Sequence, residues 1–368
     1  MGLKSNVKLI IQKTIRTVGR FFYRKHVWLV SDREWAAGDN GEAFFRYIQD
    51  KPVYSCFAIS KDSPDYAMMK GVGNVVDHGS LKYKFLLCVA DAHISSHEIH
   101  MAGHKETPQI FLSHGITFRD IHEYYNRMAH ENFHVISTSK FERERLLTPP
   151  FKLKPEQVFV TGYPRYDRLI DERGDKIITI AYTWRPFMWN TSKEEFVKSE
   201  YYNLYSSVFD NKELITKILN AGYTIKVKPH PQLEKYRDVI ELPEGITFWD
   251  TDVSYREMYG KSSLIITDYS SAIFDFVYLY KPVIYYLLDY ESLLASEYAG
   301  EYEYDYDGKG MGDVARNISE LESILESYLK NDCTMKDLYK ERVDSFFAYH
   351  DRNNCERVYN VVLDVLKK

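Results

Sequence analysis

The chain has 368 residues, 45% of them hydrophobic and 27% charged, with a formal net charge of −5. That length suits two domains at roughly 100–200 residues each, and the acidic balance gives no footing for nucleic-acid binding. No run of about 18 apolar residues exists, so no membrane span is expected; Cys56, Cys88, Cys333 and Cys355 lack metal-ligand or C-x-x-C spacing and are expected as reduced thiols of a cytosolic protein.

In chain order, residues 1–25 come first. They carry Lys4, Lys8, Lys13, Arg16, Arg20, Arg24 and Lys25 and no acid, and charges interrupt the apolar positions, so no signal peptide is read. Leu3, Val7, Ile11, Val18 and Phe21/Phe22 recur at helical spacing, with Ile10 and Ile15 widening the stripe. Such a basic amphipathic helix can lie on an anionic bilayer; the other reading is a helix packed on its own domain.

Strand-like and helix-like segments then alternate. Strands are expected at 27–31, 53–59, 75–76, 92–96, 109–113, 135–138 and 158–161, with helices from about 40 and over 140–147. The polar stretch 169–176 reads as a linker. Beyond it, strands are expected at 177–182, 223–228, 246–249, 264–267 and 283–286, helices at 211–221, 254–260 and 272–280, and mostly helix from 313 onward. This alternation argues for parallel α/β packing in two doubly wound halves, with a ligand cleft between them. The boundaries expected are 1–25 for the basic helix, 26–170 for an N-terminal Rossmann-like domain and 177–368 for a C-terminal one with the terminal helices.

Chemistry-bearing residues gather at expected strand ends. The strand 264–267 runs into Asp268-Tyr269-Ser270-Ser271 and then an apolar helical pattern, which places two hydroxyls at a helix start. They form either a phosphate seat or an ordinary N-cap. Ser113-His114-Gly115 follows strand 109–113; His114 is either a base poised near neutral pH or a capping or core histidine. Lys228-Pro229-His230-Pro231 holds a histidine between two prolines beside a cation. Arg165, in Gly162-Tyr163-Pro164-Arg165-Tyr166-Asp167, is a phosphate clamp or a turn salt bridge. Thr183-Trp184-Arg185 offers a hydroxyl, a stacking plane and a guanidinium. There is no P-loop, no G-x-G-x-x-G after a strand and no HExxH; His97-Glu98-Ile99-His100 has the wrong spacing for that zinc motif and reads as helix surface or loop. Asp250 and Asp252 read as helix caps. Metal-independent phosphate handling with no cofactor is expected.

Taken together and in order, these motifs, with Asp39-Asn40-Gly41, Lys281-Pro282-Val283-Ile284-Tyr285-Tyr286 and Gly300-Glu301-Tyr302-Glu303-Tyr304-Asp305, resemble the bacterial CDP-glycerol glycerophosphotransferase family of teichoic acid primases and polymerases and related capsule polymerases. The resemblance runs from about Trp28 to Val314. It implies a GT-B-like fold of two Rossmann-like domains facing a cleft. It also implies transfer of glycerol phosphate or ribitol phosphate from a CDP-alditol to a lipid-linked or glycan acceptor, with release of CMP, at the cytoplasmic face of the cell membrane. By the same resemblance His114 is the base, and His230, Ser270 and Ser271 contact the donor. Asp268, Arg185, Thr183, Lys228 and Arg165 are grouped with the donor phosphates, and Asn40, Gly115 and Arg119 with the acceptor side. Two departures stand out. Ser113-His114-Gly115-Ile116-Thr117-Phe118-Arg119 replaces a Trp-His-Gly-Thr-Pro pattern with a later Lys, and Tyr182 stands where Pro is common. The alternatives are a glycosyltransferase of the same architecture using a nucleotide sugar, and a non-catalytic membrane-associated scaffold.

Overall fold

The computed structural model describes residues 3–97, 106–116, 121–295 and 305–367. They divide into two compact units. The described residues of 1–116, 121–168 and 346–368 make the first, and those of 169–345 the second.

The first unit is built on a seven-stranded sheet of β1 (His26–Ser31), β2 (Val53–Ile59), β3 (Val75–Asp77), β4 (Ala92–Ser95), β5 (Gln109–Phe111), β6 (Phe133–Ser137) and β7 (Val158–Val160). The spatial order is β3-β2-β1-β4-β5-β6-β7, and every neighbouring pair is parallel. Helices cover both faces, so central strands are buried on both sides; Val27, Trp28, Leu29 and Val30 of β1 are all buried, although the run shows no alternation. The chain order reverses between β1 and β4.

The second unit repeats the scheme with β8 (Ile177–Ala181), β9 (Thr224–Val227), β10 (Ile246–Phe248), β11 (Ser262–Thr267), β12 (Val283–Tyr286) and β13 (Asp313–Ala315), in the order β10-β9-β8-β11-β12-β13, again all parallel. Here the reversal falls between β8 and β11. Both units are thus doubly wound Rossmann-like sheets, the GT-B-like pair of domains. In such sheets ligands bind outside the carboxyl ends of the strands at the reversal.

Several strands stop one or two residues before the expected ends. The expected helix 272–280 is only Ile273–Val277. The short strand β13 lies in a stretch expected to be helical. A larger correction concerns the end of the chain, expected to belong wholly to the second domain. Residues 346–367 pack with the first unit. The Asp167 carboxylate accepts from the backbone N–H groups of Asn354 and Cys355 at 3.0 and 2.7 Å, which caps the final helix Asn354–Lys367. Gly162 has a left-handed φ of 75°, and a Cβ there would stand 1.9 Å from Asn354 Oδ1. The Gly-Tyr-Pro-Arg-Tyr-Asp motif therefore docks the last helix.

The basic N-terminal segment forms a helix, Leu3–Arg20, and no described helix is long and apolar enough to cross a membrane. The side chains of Leu3, Val7, Ile10 and Ile11 lie outside the described residues. Further on, the helix packs on its own unit. Ile15 joins a cluster with Leu86 and Val89, Lys13 pairs with Glu106 at 2.9 Å and Arg20 with Asp91 at 3.1 Å. Val18, Phe21 and Phe22 are exposed.

Gly162→Ala is expected to destabilise the first unit by about 1–2 kcal/mol from the left-handed backbone alone, with a further cost from the clash with Asn354. The urea midpoint followed by circular dichroism measures it; an unchanged midpoint would count against this docking role.

Candidate functional site

Two clusters form, one at the strand reversal of each unit. In the first, β1 ends at Ser31 and β4 at Ser95, and their hydroxyls bond at 2.9 Å. Asp32 follows β1 and is buried. Its carboxylate accepts from the backbone N–H groups of Asp39, Gly41 and Glu42 at 3.1, 2.7 and 3.0 Å, and from the Ser96 hydroxyl after β4. The N-terminus of helix Asn40–Tyr47 is thus filled by the protein's own anion. Gly41 is needed there, since a Cβ would sit 2.3 Å from the Ser31 carbonyl oxygen. Burial, with Asp39 adding to it, pushes the Asp32 carboxyl up to about 7.

His114 follows β5 at the surface of this cluster, after Ser113, which takes a left-handed φ of 56°. A non-glycine residue held there is strained, a condition concentrated at functional sites. The His114 ring stacks on His97 with centroids 4.6 Å apart and planes 12° apart. Arg33 Nε donates to His97 Nε2 at 3.0 Å. The Arg165 guanidinium donates to Asp39 at 2.7 Å and to the His114 carbonyl at 3.3 Å. His114 reaches solvent, yet desolvation by the atoms crowding its ring is the largest push on its pKa, downward. Arg33 and Arg165 act the same way, while Asp39 and a hydrogen bond to the Ser96 backbone oppose them. His97 falls to about 3, through burial first and then His114 and Arg33.

In the second unit Thr183 and Arg185 follow β8, Lys228 and His230 follow β9, and Asp268 to Ser271 follow β11. A pocket at this end is lined by Thr183, Lys228, His230, Tyr255, Ser270 and Ala272 among others. His230 Nδ1 accepts from the Gln232 backbone N–H at 3.2 Å, so Nε2 carries the proton of the neutral ring and can donate. The Trp184 ring stands 6.3 Å from His230, and a neighbouring hollow is walled by Trp184, Trp189 and Gln232. Ser270 Oγ accepts from the Ala272 backbone N–H at 3.3 Å, and Ser271 is exposed. With a helix of five residues behind them, the serine hydroxyls and local N–H groups, rather than a long helix dipole, are what this end offers an anion.

Five of the residues grouped with donor or acceptor make their hydrogen bonds within the protein. Arg185 is fully buried, with Nη1 on Asp268 and on the Thr183 carbonyl, both at 2.8 Å, and Nη2 on Asp289 at 2.8 Å. Asp268 is also fully buried; it accepts from the Thr183 backbone N–H at 2.8 Å, and burial pushes it up to about 6 despite Arg185. This pair frames the Thr183 loop, which lines the pocket. The Lys228 ammonium donates to the carbonyls of Asp250 and Val253 at 3.2 and 2.9 Å, and burial lowers its pKa. Arg165 lies in the first unit beside His114. Asn40, expected on the acceptor side, is fully buried: its Nδ2 donates to the carbonyls of Leu112 and Ser113 at 3.1 and 2.9 Å, and its Oδ1 accepts from the Arg165 backbone at 3.1 Å, which fixes the His114 loop. Gly115 stays in that loop, its carbonyl accepting from Tyr163 Oη at 3.1 Å. Arg119 and residues 300–304 lie outside the described residues.

Sequence reasoning missed Asp32, Arg33, His97 and Asp289. Asp32 and His97 each lie one residue beyond an expected strand, and that position was the available signal. Asp289 gives none, because only the folded chain brings it to Arg185. Arg185→Met would leave Asp268 and Asp289 buried without a cation, and is expected to cost about 3–5 kcal/mol. A fall in soluble yield or in the urea midpoint would register it, and a variant as stable as the parent would overturn the framing role.

Residues 13–364 match the family described as CDP-glycerol:poly(glycerophosphate) glycerophosphotransferase. The chain is 33% identical over 381 residues to the minor teichoic acid biosynthesis protein GgaB of Bacillus subtilis, covering 97% of this chain and 42% of that protein. It is 28% identical over 191 residues to the teichoic acid glycerol-phosphate transferase of Staphylococcus aureus, 46% of this chain and 45% of that protein. It therefore spans less than half the length of these curated relatives. Among solved structures it shares its fold with the wall teichoic acid polymerase TagF, at a TM-score of 0.72 and 17% identity over 99% of this chain and 97% of that one. A UDP-GlcNAc 2-epimerase from Neisseria meningitidis follows at 0.55 and 13%, over 92% and 100%. With the family match running nearly end to end and a relative one-third identical across it, this chain belongs to the CDP-glycerol:poly(glycerophosphate) glycerophosphotransferase family.

Proposed function

We propose that this chain transfers an alditol phosphate, glycerol phosphate or ribitol phosphate, from a CDP-alditol to a hydroxyl of a lipid-linked or glycan acceptor in the synthesis of a teichoic acid or capsule-type polymer. The observation that carries the reading is the gathering of His230, Thr183 and Ser270 around one pocket at the strand reversal of the second sheet, in a chain of this family.

In the proposed step the acceptor oxygen attacks the alditol-linked phosphorus in line. The bond from that phosphorus to the bridging oxygen breaks, and CMP departs with the electron pair. His114 takes the hydroxyl proton. Its hydrogen bond to the Ser96 backbone uses one ring nitrogen as donor and leaves the other as acceptor, while its lowered pKa keeps the ring neutral at pH 7. His230 Nε2–H and the hydroxyls of Ser270 and Ser271 would donate to the diphosphate. Positioning and electrostatics supply most of the acceleration in such transfers, and the reading needs neither metal nor cofactor.

The same reading places the protein peripherally at the cytoplasmic face of the cell membrane. Phe21 and Phe22 are 85% and 77% exposed beside the exposed Arg24 and Lys25, and suit the interface of an anionic bilayer. With Lys13 and Arg20 paired internally, insertion of the aromatic pair carries more of this binding than total charge does.

CMP release from purified protein, given CDP-glycerol, CDP-ribitol or UDP-sugars with and without acceptor, tests the activity. Acceptor-dependent release with one CDP-alditol, undiminished by excess EDTA, is the expected result; transfer only from a nucleotide sugar would favour the glycosyltransferase, and donor binding without turnover the scaffold. His114→Ala is expected to lower kcat by about 10²–10⁴-fold with donor affinity unchanged, whereas His230→Ala should weaken donor binding. Full activity of His114→Ala would remove His114 as base. Co-sedimentation with anionic vesicles should fall in the Phe21→Ser/Phe22→Ser double variant, and equal binding would place the membrane contact elsewhere.

A further inference from the structure

His114 stands on a strained loop at the surface. One ring face is covered by His97, whose placement is itself determined. The His97 backbone N–H donates to Ser95 Oγ at 3.1 Å, and Ser95 is tied across the strand reversal to Ser31. The His97 ring is held by Arg33 Nε, which is always a donor, so His97 Nε2 is an unprotonated acceptor and the ring is neutral. With Arg33 on Nε2, the two histidines are not arranged as a pair of ligands for one cation.

We propose that His97 and Arg33 are positioning residues, which hold the His114 ring flat and keep it in the proton-accepting form. The inference rests on the reading of His114 as the base. Among the described residues, the charged and titratable groups facing His114 are Asp39 and Arg33 from the loop after β1, His97 after β4 and Arg165 after β7, together with the Ser96 backbone. Asp39 favours the charged ring, but Arg165 engages its carboxylate at 2.7 Å. Arg33 and Arg165 disfavour it, and the His97 ring keeps water from one face. Removing Arg33 takes away a cation, and removing the His97 ring lets water in. Both changes stabilise imidazolium, so both move His114 titration to higher pH. A protonated His114 cannot accept the hydroxyl proton, so the acid limb of the rate profile must move the same way.

The test combines NMR titration of the histidine ring Cε1–H signals in the full chain, with His114 assigned through His114→Gln, and the pH profile of kcat/KM with CDP-glycerol or CDP-ribitol. In Arg33→Gln and His97→Ala, the His114 titration and the acid limb are expected to rise together by up to about one unit, with kcat reduced near pH 6 and donor KM unchanged. His97→Phe keeps the ring cover and should recover most of the kcat lost in His97→Ala. A His114 titration unmoved in both Arg33→Gln and His97→Ala would overturn the proposal, as would a donor KM that changes in proportion to kcat. If His97→Ala does not fold, Arg33→Gln, which removes only a surface side chain, decides alone. Should His114→Ala keep full activity, the base reading falls, and the NMR titration still decides whether His97 and Arg33 govern His114.

Discussion

Each unit depends on one buried carboxylate at the point where its strand order reverses. In the first, Asp32 after β1 gathers the N-terminus of the next helix and the Ser96 hydroxyl after β4. In the second, Asp268 after β11 holds the Thr183 backbone and the Arg185 guanidinium after β8. A reversal separates two strands whose following loops diverge and leaves a crevice at the sheet edge. A carboxylate buried there can hold both loops only if donors saturate it, since an unpaired buried charge costs far more than it returns. Both carboxyls are pushed upward by burial, to about 7 and about 6. The crevices exist because these groups are satisfied from within, and the side chains facing solvent above them remain available for ligand chemistry.

This constraint divides the polar residues of the motifs into two kinds. Arg185, Asp268, Lys228, Asn40 and Asp167 carry hydrogen bonds inward, to carboxylates, carbonyls and backbone N–H groups. His114, His230, Ser270 and Ser271 are among the motif members that keep surface to present. A short polar motif reads the same whether its groups support a loop or meet a substrate. Arg165 shows how far the two uses diverge: its backbone N–H serves Asn40, its guanidinium serves Asp39 and the His114 carbonyl, and its neighbour Asp167 caps a helix nearly two hundred residues on.

The N-terminal helix is resolved in the same way. A one-sided run of cations looks like a membrane ligand until its partners are found, and Glu106 and Asp91 supply partners for Lys13 and Arg20. Paired surface charges contribute little to stability, but they reduce what an anionic bilayer can attract. Phe21 and Phe22 are among the described residues of the segment that the fold leaves exposed.

The sequence by itself determined the alternation of strand and helix, the division near residue 169 and the placing of His114, His230 and the serines at strand ends. These are local properties: apolar runs of strand length, helix-start residues, and prolines and glycines that stop an element where it must stop. Only the tertiary structure decided which unit holds the last helix, which guanidiniums point inward, and that His97 lies on His114. The physical reason is sequence distance. Asp289 meets Arg185 from 104 residues away and Asp167 meets Asn354 from 187, and no local pattern encodes a contact that exists only once two parallel strands have been brought side by side.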